Sequence, residues 1–313
     1  MRVSCLVKQE YVSDLDCSTD KENPQEAVAF RAISVIMEKW AASASRKNEK
    51  RTKIMISIDR DKIRQTFREY TSHYDLTNDK IRLKMIHTYR VAEFCDRIAR
   101  AEQMSEADVD LAWLLGMLHD IGRFEQLKRY NTFLDTDSVD HAGLGADLLF
   151  GVIGDGLIRD YVKEDTEDVL IEAAVRQHSL YRINEELDER TRKFCHILRD
   201  ADKIDILRVN VDFSLEEIYN TTSEILRKEA VSDAVLESFY AHKAVLRAIK
   251  KTTVDHVVGH CSLVFELMFP ESLRVIREQG FIWKLLDFET DNPQTAERFK
   301  GMRAEMEQYL ECA

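Results

Sequence analysis

Apolar residues recur every three or four positions through most of this chain, the spacing that gathers them on one face of an α-helix. In KMIHTYRVAEFCDRIA the rhythm is kept by Ile86, Val91, Phe94 and Ile98, and in VLIEAAVRQHS by Ile171 and Ala174. In SVDHAGLGADLLF it is kept by Leu144, Leu148 and Leu149, with Ser138 as the candidate N-cap. The pattern predicts a helix over 25–43, carried by Phe30, Ile33, Met37 and Trp40, and then the polar linker SASRKNEKRTK. Amphipathic helices follow from about 56 to 225, and further helices lie in ESFYAHKAVLRAIK, TVDHVVGHCSLVFELMF and PESLRVIREQGFIWKLLDF, with Pro270 at a boundary. No period-two series of a strand and no internal repeat is visible.

The expected architecture is all-α, in three parts. Residues 1–54 form an N-terminal arm or extension, Met55 offering a second start; 55–225 form the catalytic bundle; 226–313 add helices packed on it. With 10 Gly and 3 Pro in 313 residues, helices are favoured over a turn-rich β fold.

Polar residues interrupt the apolar faces at chemically informative places. His87 sits among apolar neighbours on its helix, His141 falls in a first helical turn, and His178 stands one turn after Ala174 on the face expected to be buried. Asp202 has Leu198 and Arg199 one turn behind it, and the adjacent pair His119-Asp120 closes the apolar run DLAWLLGML. Four histidines and two carboxylates in one core would leave many polar groups unsatisfied without a cation. Imidazole and carboxylate are the ligands that hold Mn, Fe, Zn or Ni while leaving positions open to water. Neighbouring residues on a helix point about 100° apart. His119 and Asp120 therefore reach one ion only where a helix ends, and the Asp is then free to bridge to a second.

The order His, His-Asp, Asp on helices resembles the HD superfamily of metal-dependent phosphohydrolases, over roughly residues 80 to 210. The matching residues are His87, His119, Asp120 and Asp202, the last in RDADKIDIL, which looks like the closing Ala-Asp motif of that family; Asp200 and Asp205 are its competitors. His141 and His178 resemble the extra ligands of the binuclear branches, which include HD-GYP cyclic-dinucleotide phosphodiesterases and bacterial diadenosine tetraphosphate hydrolases. Where the HD-GYP branch carries a second His and a Gly-Tyr-Pro, this chain reads QHSLYRIN. The resemblance implies two divalent ions, Mn, Fe or Ni foremost and Mg in reserve. His87, His119, Asp120 and Asp202 would hold the first, and His141 and His178 the second, sharing Asp120. It also implies an activated water that attacks a nucleotide or another small phosphate mono- or diester.

Basic side chains next to these ligands are candidates for phosphate contacts: Arg123, one turn after His119; Arg182, four residues after His178; and Lys203, beside Asp202. Asp120, Arg123 and Lys203 are the candidate catalytic residues. Tyr130, Phe133 and Tyr181 are candidates to stack on a base or sugar, or simply to pack a loop against the bundle. The same ligand scaffold resembles mixed-valent diiron oxygenases of the myo-inositol oxygenase type, and a non-catalytic ligand-binding HD module is the third reading. His256 and His260 stand four apart and could pair on a metal, although Asp255 beside them offers His256 a plain hydrogen bond. His73, His196 and His242 read as structural.

A net charge of -12 argues against general nucleic-acid binding while permitting a local basic pocket. No apolar run reaches the ~20 residues that span a bilayer, and the N-terminal segment does not look like a secretory signal. The cysteines (Cys5, Cys17, Cys95, Cys195, Cys261, Cys312) form no CxxC pair and read as free thiols of a reducing cytoplasm. A homo-oligomer is left open.

Overall fold

Local capping chemistry punctuates the helices. In the computed structural model, which describes residues 56–213 and 221–312, α1 (Arg60–Thr71) begins on Asp59, whose carboxylate accepts from the Asp61 and Lys62 amides. Asn78 caps α2 (Asp79–Ala101) and Ser105 caps α3 (Glu106–Leu118) in the same way. These side chains satisfy amides that a helix cannot bond within itself. The expected helix over 25–43 and its linker lie outside the described residues.

The chain continues through α4 (Ile121–Tyr130), α5 (His141–Leu149), the single turn α6 (Ile158–Tyr161), α7 (Asp168–Gln177) and the long α8 (Glu189–Asp212). It then adds α9 (Ser223–Lys228), α10 (Asp233–Tyr240), α11 (Thr253–Cys261), α12 (Pro270–Gln279), α13 (Phe281–Leu286) and α14 (Pro293–Cys312). Among the described residues there is no strand, and no helix is long and apolar enough to cross a membrane.

Helix α3 is buried on nearly every side, from Val109 to Leu118, which is why its sequence lacks a polar stripe. It lies against α2, which also packs on α8; α4 packs on α5, α5 on α7, and α7 on α8. Gly116 in α3 permits the first of these contacts at close range, because a Cβ there would stand 2.4 Å from the Cα of Ala92. The C-terminal helices α11, α12 and α13 rest on α8. Asp200 on α8 ties down the start of α12, accepting from the amides of Met268 and Phe269 and from the Ser272 hydroxyl at 2.7 Å.

Several elements depart from the periodic pattern. Ile86 is 52% exposed, and the inward face of α2 runs instead through His87, Val91, Phe94, Cys95 and Ile98. The cap of α5 is Asp140, not Ser138; the Ser138 hydroxyl accepts from Gln126 and donates to Leu134 O. The helix expected over 237–250 stops at Tyr240. His242 turns left-handed (φ 51°), stacks on Phe265 at 4.9 Å and pairs with Glu305, while the Val245 amide donates to Ser262 Oγ. These tertiary partners replace the bonds a continuing helix would have made. Gly280, at φ 68°, divides the last expected helix into α12 and α13.

Asp255, fully buried on α11, organises the segment before it. Its carboxylate accepts from the amides of Ser232, Lys251 and Thr252 and from the Ser232 hydroxyl. Burial alone would raise its pKa, but these bonds outweigh burial and hold it below the usual carboxylate value. A depressed folded pKa adds stability above the unfolded value of about 3.9 and loses it as pH falls through the folded one. Asp255→Ala is therefore expected to cost about 2–4 kcal/mol in urea unfolding near neutrality, with orphaned amides left behind. The gap from wild type should narrow below about pH 4; a gap of the same size at pH 3 would contradict the carboxylate's role.

Candidate metal centre

Helix ends and one long helix bring the six ligand-type residues together. His87 comes from the middle of α2 and Asp202 from α8, whereas His119 caps the C-terminus of α3 and Asp120 the N-terminus of α4. His141 opens α5, and His178 ends α7. The break between α3 and α4 lets two adjacent residues point at one place. A second close approach completes the arrangement: a Cβ on Gly122 would stand 2.3 Å from His141 O and 2.6 Å from the Gly145 amide, so α4 and α5 touch backbone to backbone.

The four imidazoles turn their Nε2 atoms inward. His87 and His119 Nε2 are 3.3 Å apart, and His141 and His178 Nε2 are 3.1 Å apart. Asp120 lies between the pairs. Its Oδ2 is 3.6 Å from His87 Nε2 and 3.5 Å from His119 Nε2, while its Oδ1 is 3.5 Å from His141 Nε2 and 3.7 Å from His178 Nε2. Asp202 Oδ1 joins the first group, 3.0 Å from His87 Nε2 and 3.9 Å from His119 Nε2. Two compact donor sets result, His87-His119-Asp120 and Asp120-His141-His178. A third, Asp135-Asp140-His141, is partly exposed.

What each imidazole does with its other nitrogen decides what the inner one can offer. Nδ1 of His119 donates to Gly116 O at 2.7 Å and Nδ1 of His178 to Val175 O at 2.7 Å. His141 Nδ1 meets Asp135 at 2.7 Å, and His87 Nδ1 meets Asp205 at 2.8 Å. With the proton committed to Nδ1, each neutral ring presents a bare lone pair at Nε2. Burial pulls the pKa of His119 down to about 3 and that of His141 to about 4, so both rings are neutral. Burial and Lys84 pull His87 the same way, but hydrogen bonds to Asp202 and Asp205 and the charge of Asp202 outweigh them and raise it. Lone pairs and carboxylate oxygens facing one another in a buried site are a donor set for cations, and the residues present fit divalent metal ions.

The carboxylates are held ionised. Burial would raise Asp120, but Lys84, His119, His178 and Arg123 together hold it well below the usual range. Burial would likewise raise Asp135, which the His141 hydrogen bond and Arg123 bring down to about 2. Of the competitors for the closing position, Asp205 stands behind His87 and is gripped by Arg90 at 2.5 Å and Arg208 at 2.8 Å. Asp200 faces α12. Only Asp202 turns toward the cluster.

A cleft of about 630 Å³ opens onto Asp120, His141, His178 and Asp202. Arg123 lines it, with Nη1 tied to Gln126, Phe133 O and Asp135, while its buried Nε has no hydrogen-bond partner among the described residues and lies 3.6 Å from Asp120 Oδ1. Lys203 also lines it, but its ammonium is paired with Glu266 at 2.7 Å. Arg182 lies beyond, in a neighbouring cavity of about 390 Å³, over the Tyr181 ring. Tyr130 does not line the cleft; it is exposed at the end of α4. The Phe133 ring lies under Lys84 and Arg123, at 5.5 and 5.8 Å. Tyr181 stands in the cleft wall. His256 and His260 form no three-residue donor cluster among the described residues.

Sequence reasoning missed Lys84, whose ammonium sits 2.6 Å from Asp120 Oδ2 and lines the cleft. Its place one turn before His87 was the available signal. Asp135 and Asp205, which orient His141 and His87, carry no sequence mark that separates them from surface acids. Asp205→Asn is expected to keep the bundle folded at some cost in stability and to weaken metal binding by roughly 10–100-fold. Metal titration of the folded variant checks this, and unchanged affinity would deny Asp205 the orienting role.

A helical fold with paired His/Asp donor clusters defines a divalent-metal site. The family model of the HD domain matches residues 85–207, a span that holds every residue from His87 to Asp202. This match points to metal-dependent hydrolytic chemistry in general. No curated protein and no solved structure matches the chain.

Proposed function

We propose that this protein is a binuclear HD-type phosphohydrolase that cleaves a small phosphate ester, a nucleotide foremost, with an activated water. The observation that carries the reading is Asp120: one carboxylate oxygen faces His87 and His119, and the other faces His141 and His178. A bridging carboxylate with separate imidazole pairs is the donor arrangement for two cations, with Mn, Fe or Ni suited to these ligands and Mg less so. Such ions would lower the pKa of a bound water and neutralise phosphoryl oxygens.

The chain's own residues supply the rest. Asp205, Asp135 and the carbonyls of Gly116 and Val175 engage the outer Nδ1 atoms and aim the inner imidazole nitrogens at the centre of the cluster. Arg123, pinned at Nη1, lays its positive charge beside Asp120 in the cleft, and Lys84 brings a second positive charge to the same carboxylate. Lys203 and Arg182 then act at the margin, the first through its pair with Glu266. Residues 55–225 would be the catalytic part and 226–313 its outer wall. The cationic lining favours a phosphate ester over the uncharged polyol of an oxygenase, and the complete donor set favours an enzyme over a binding module. Free thiols at Cys95, Cys195, Cys261 and Cys312 fit a reducing cytoplasm.

The test is hydrolysis by the full chain loaded separately with Mn, Fe, Ni or Mg, against a panel of phosphate mono- and diesters and nucleotides. Phosphate or nucleoside release that is abolished by chelation supports the reading. Two bound irons with silence across the panel and oxygen consumption with a polyol would replace it by the oxygenase.

A further inference from the structure

The cations around the cleft differ in what they face. On the HD side Lys84 and Arg123 sit against Asp120, and Lys203 is paired with Glu266. Arg199 is consumed by the carbonyls of Gln177, Leu180 and Tyr181. The segment between α10 and α11, beyond the residues that match the HD domain, also lines the cleft. There Arg247 is exposed and Lys250 half-buried, and neither forms a salt bridge or side-chain hydrogen bond among the described residues. Burial, then the charge of Arg247, lowers the pKa of Lys250. The charge of Asp255 acts on Lys250 in the opposite sense, but among the described residues neither Lys250 nor Arg247 has an ion-pair partner, which leaves positive charge facing the cleft.

The position of Lys250 is shaped by its neighbour. Its side chain lies across Gly259 of α11, where a Cβ would stand 2.3 Å from Nζ and 2.6 Å from Cε. Glycine within a helix costs stability relative to alanine, and here it leaves room for an ammonium to lie against the helix inside the cleft. Ile206, Val245, Leu246 and Leu263 add apolar surface to the same cleft.

We propose that Arg247 and Lys250 form an anion subsite for a second phosphate-type group of the substrate, in the same cleft as the donor residues. The substrate class is then an organic bis- or polyphosphate rather than a simple monoester. This rests on the hydrolase reading for the identity of the other end, but the subsite is tested without turnover. In the metal-free full chain only protein cations remain to hold an anion, so calorimetric titration with inorganic pyrophosphate reads the subsite itself.

Wild type is expected to bind pyrophosphate, and R247A/K250A to bind it roughly tenfold or more weakly, as loss of charge-assisted bonds requires. G259A, which improves helix propensity while displacing the ammonium, should weaken binding with the melting temperature maintained or raised. R247K/K250R should retain binding, which separates charge from folding. No binding by wild type, or loss in R182A/R192A of the neighbouring cavity with R247A/K250A unaffected, would overturn the proposal. Failure here leaves metal-dependent hydrolysis standing, whereas a chain that binds pyrophosphate but hydrolyses no ester fails the other reading.

Discussion

Asp120→Asn is expected to leave a folded helical bundle that no longer holds two metal ions and turns over at background. The substitution keeps the shape and the hydrogen bond to Lys84 but removes the charge that both imidazole pairs share. Neutral Asn cannot offset two divalent cations in a buried site, so at least one position is lost. Because the bridging group acts with the whole cluster, the fall in kcat should be roughly ten-thousandfold or more. Metal analysis by mass spectrometry and calorimetric titration supply the readout besides activity. Wild-type melting temperature should climb with added metal, since a ligand that binds only the native state stabilises it by mass action, and the variant's should barely move. Full metal content with normal turnover would remove Asp120 from the bridging position.

The second large effect is expected from a residue with no chemistry of its own. Gly122→Ala places a methyl group 2.3 Å from His141 O, 2.6 Å from the Gly145 amide and 2.9 Å from the Gly145 Cα, all backbone atoms that cannot swing aside. Helices α4 and α5 must part, at a cost of about 2–4 kcal/mol if the core absorbs the shift. That movement separates Asp120, at the start of α4, from His141, at the start of α5. Metal affinity should therefore drop together with stability. Gly145→Ala offers the graded comparison, its nearest neighbour being the Gly122 amide at 3.2 Å, so a smaller loss is expected. Equal melting temperatures for wild type and Gly122→Ala would mean that the close approach does not set the site.

Periodicity carried much of the helical architecture because a 3.6-residue rhythm is written locally. It failed where tertiary partners outbid the helix. Tyr240 ends α10 although the following text stays apolar and helical in rhythm, because His242 and Val245 find bonds with Glu305 and Ser262 far along the chain. Ile86 fits the rhythm and still faces solvent, since the packing against α3 and α8 selects which stripe of α2 is inward.

The ligand types were legible for a related reason. Histidines and carboxylates on buried stripes are costly without a cation, and that cost can be read from one sequence. By itself, then, the sequence determined an all-α chain with a metal-type donor set at His87, His119, Asp120, His141, His178 and Asp202. Only the tertiary structure decided which carboxylate of RDADKID turns inward, which acids orient the imidazoles, and that Arg247 and Lys250 in the cleft lining lack ion-pair partners among the described residues. Those choices depend on distances between residues as far apart as His87 and Asp205, or Lys250 and Gly259 against Asp120. Such distances are set by helices crossing at Gly116 and Gly122, and crossing geometry has no local signature.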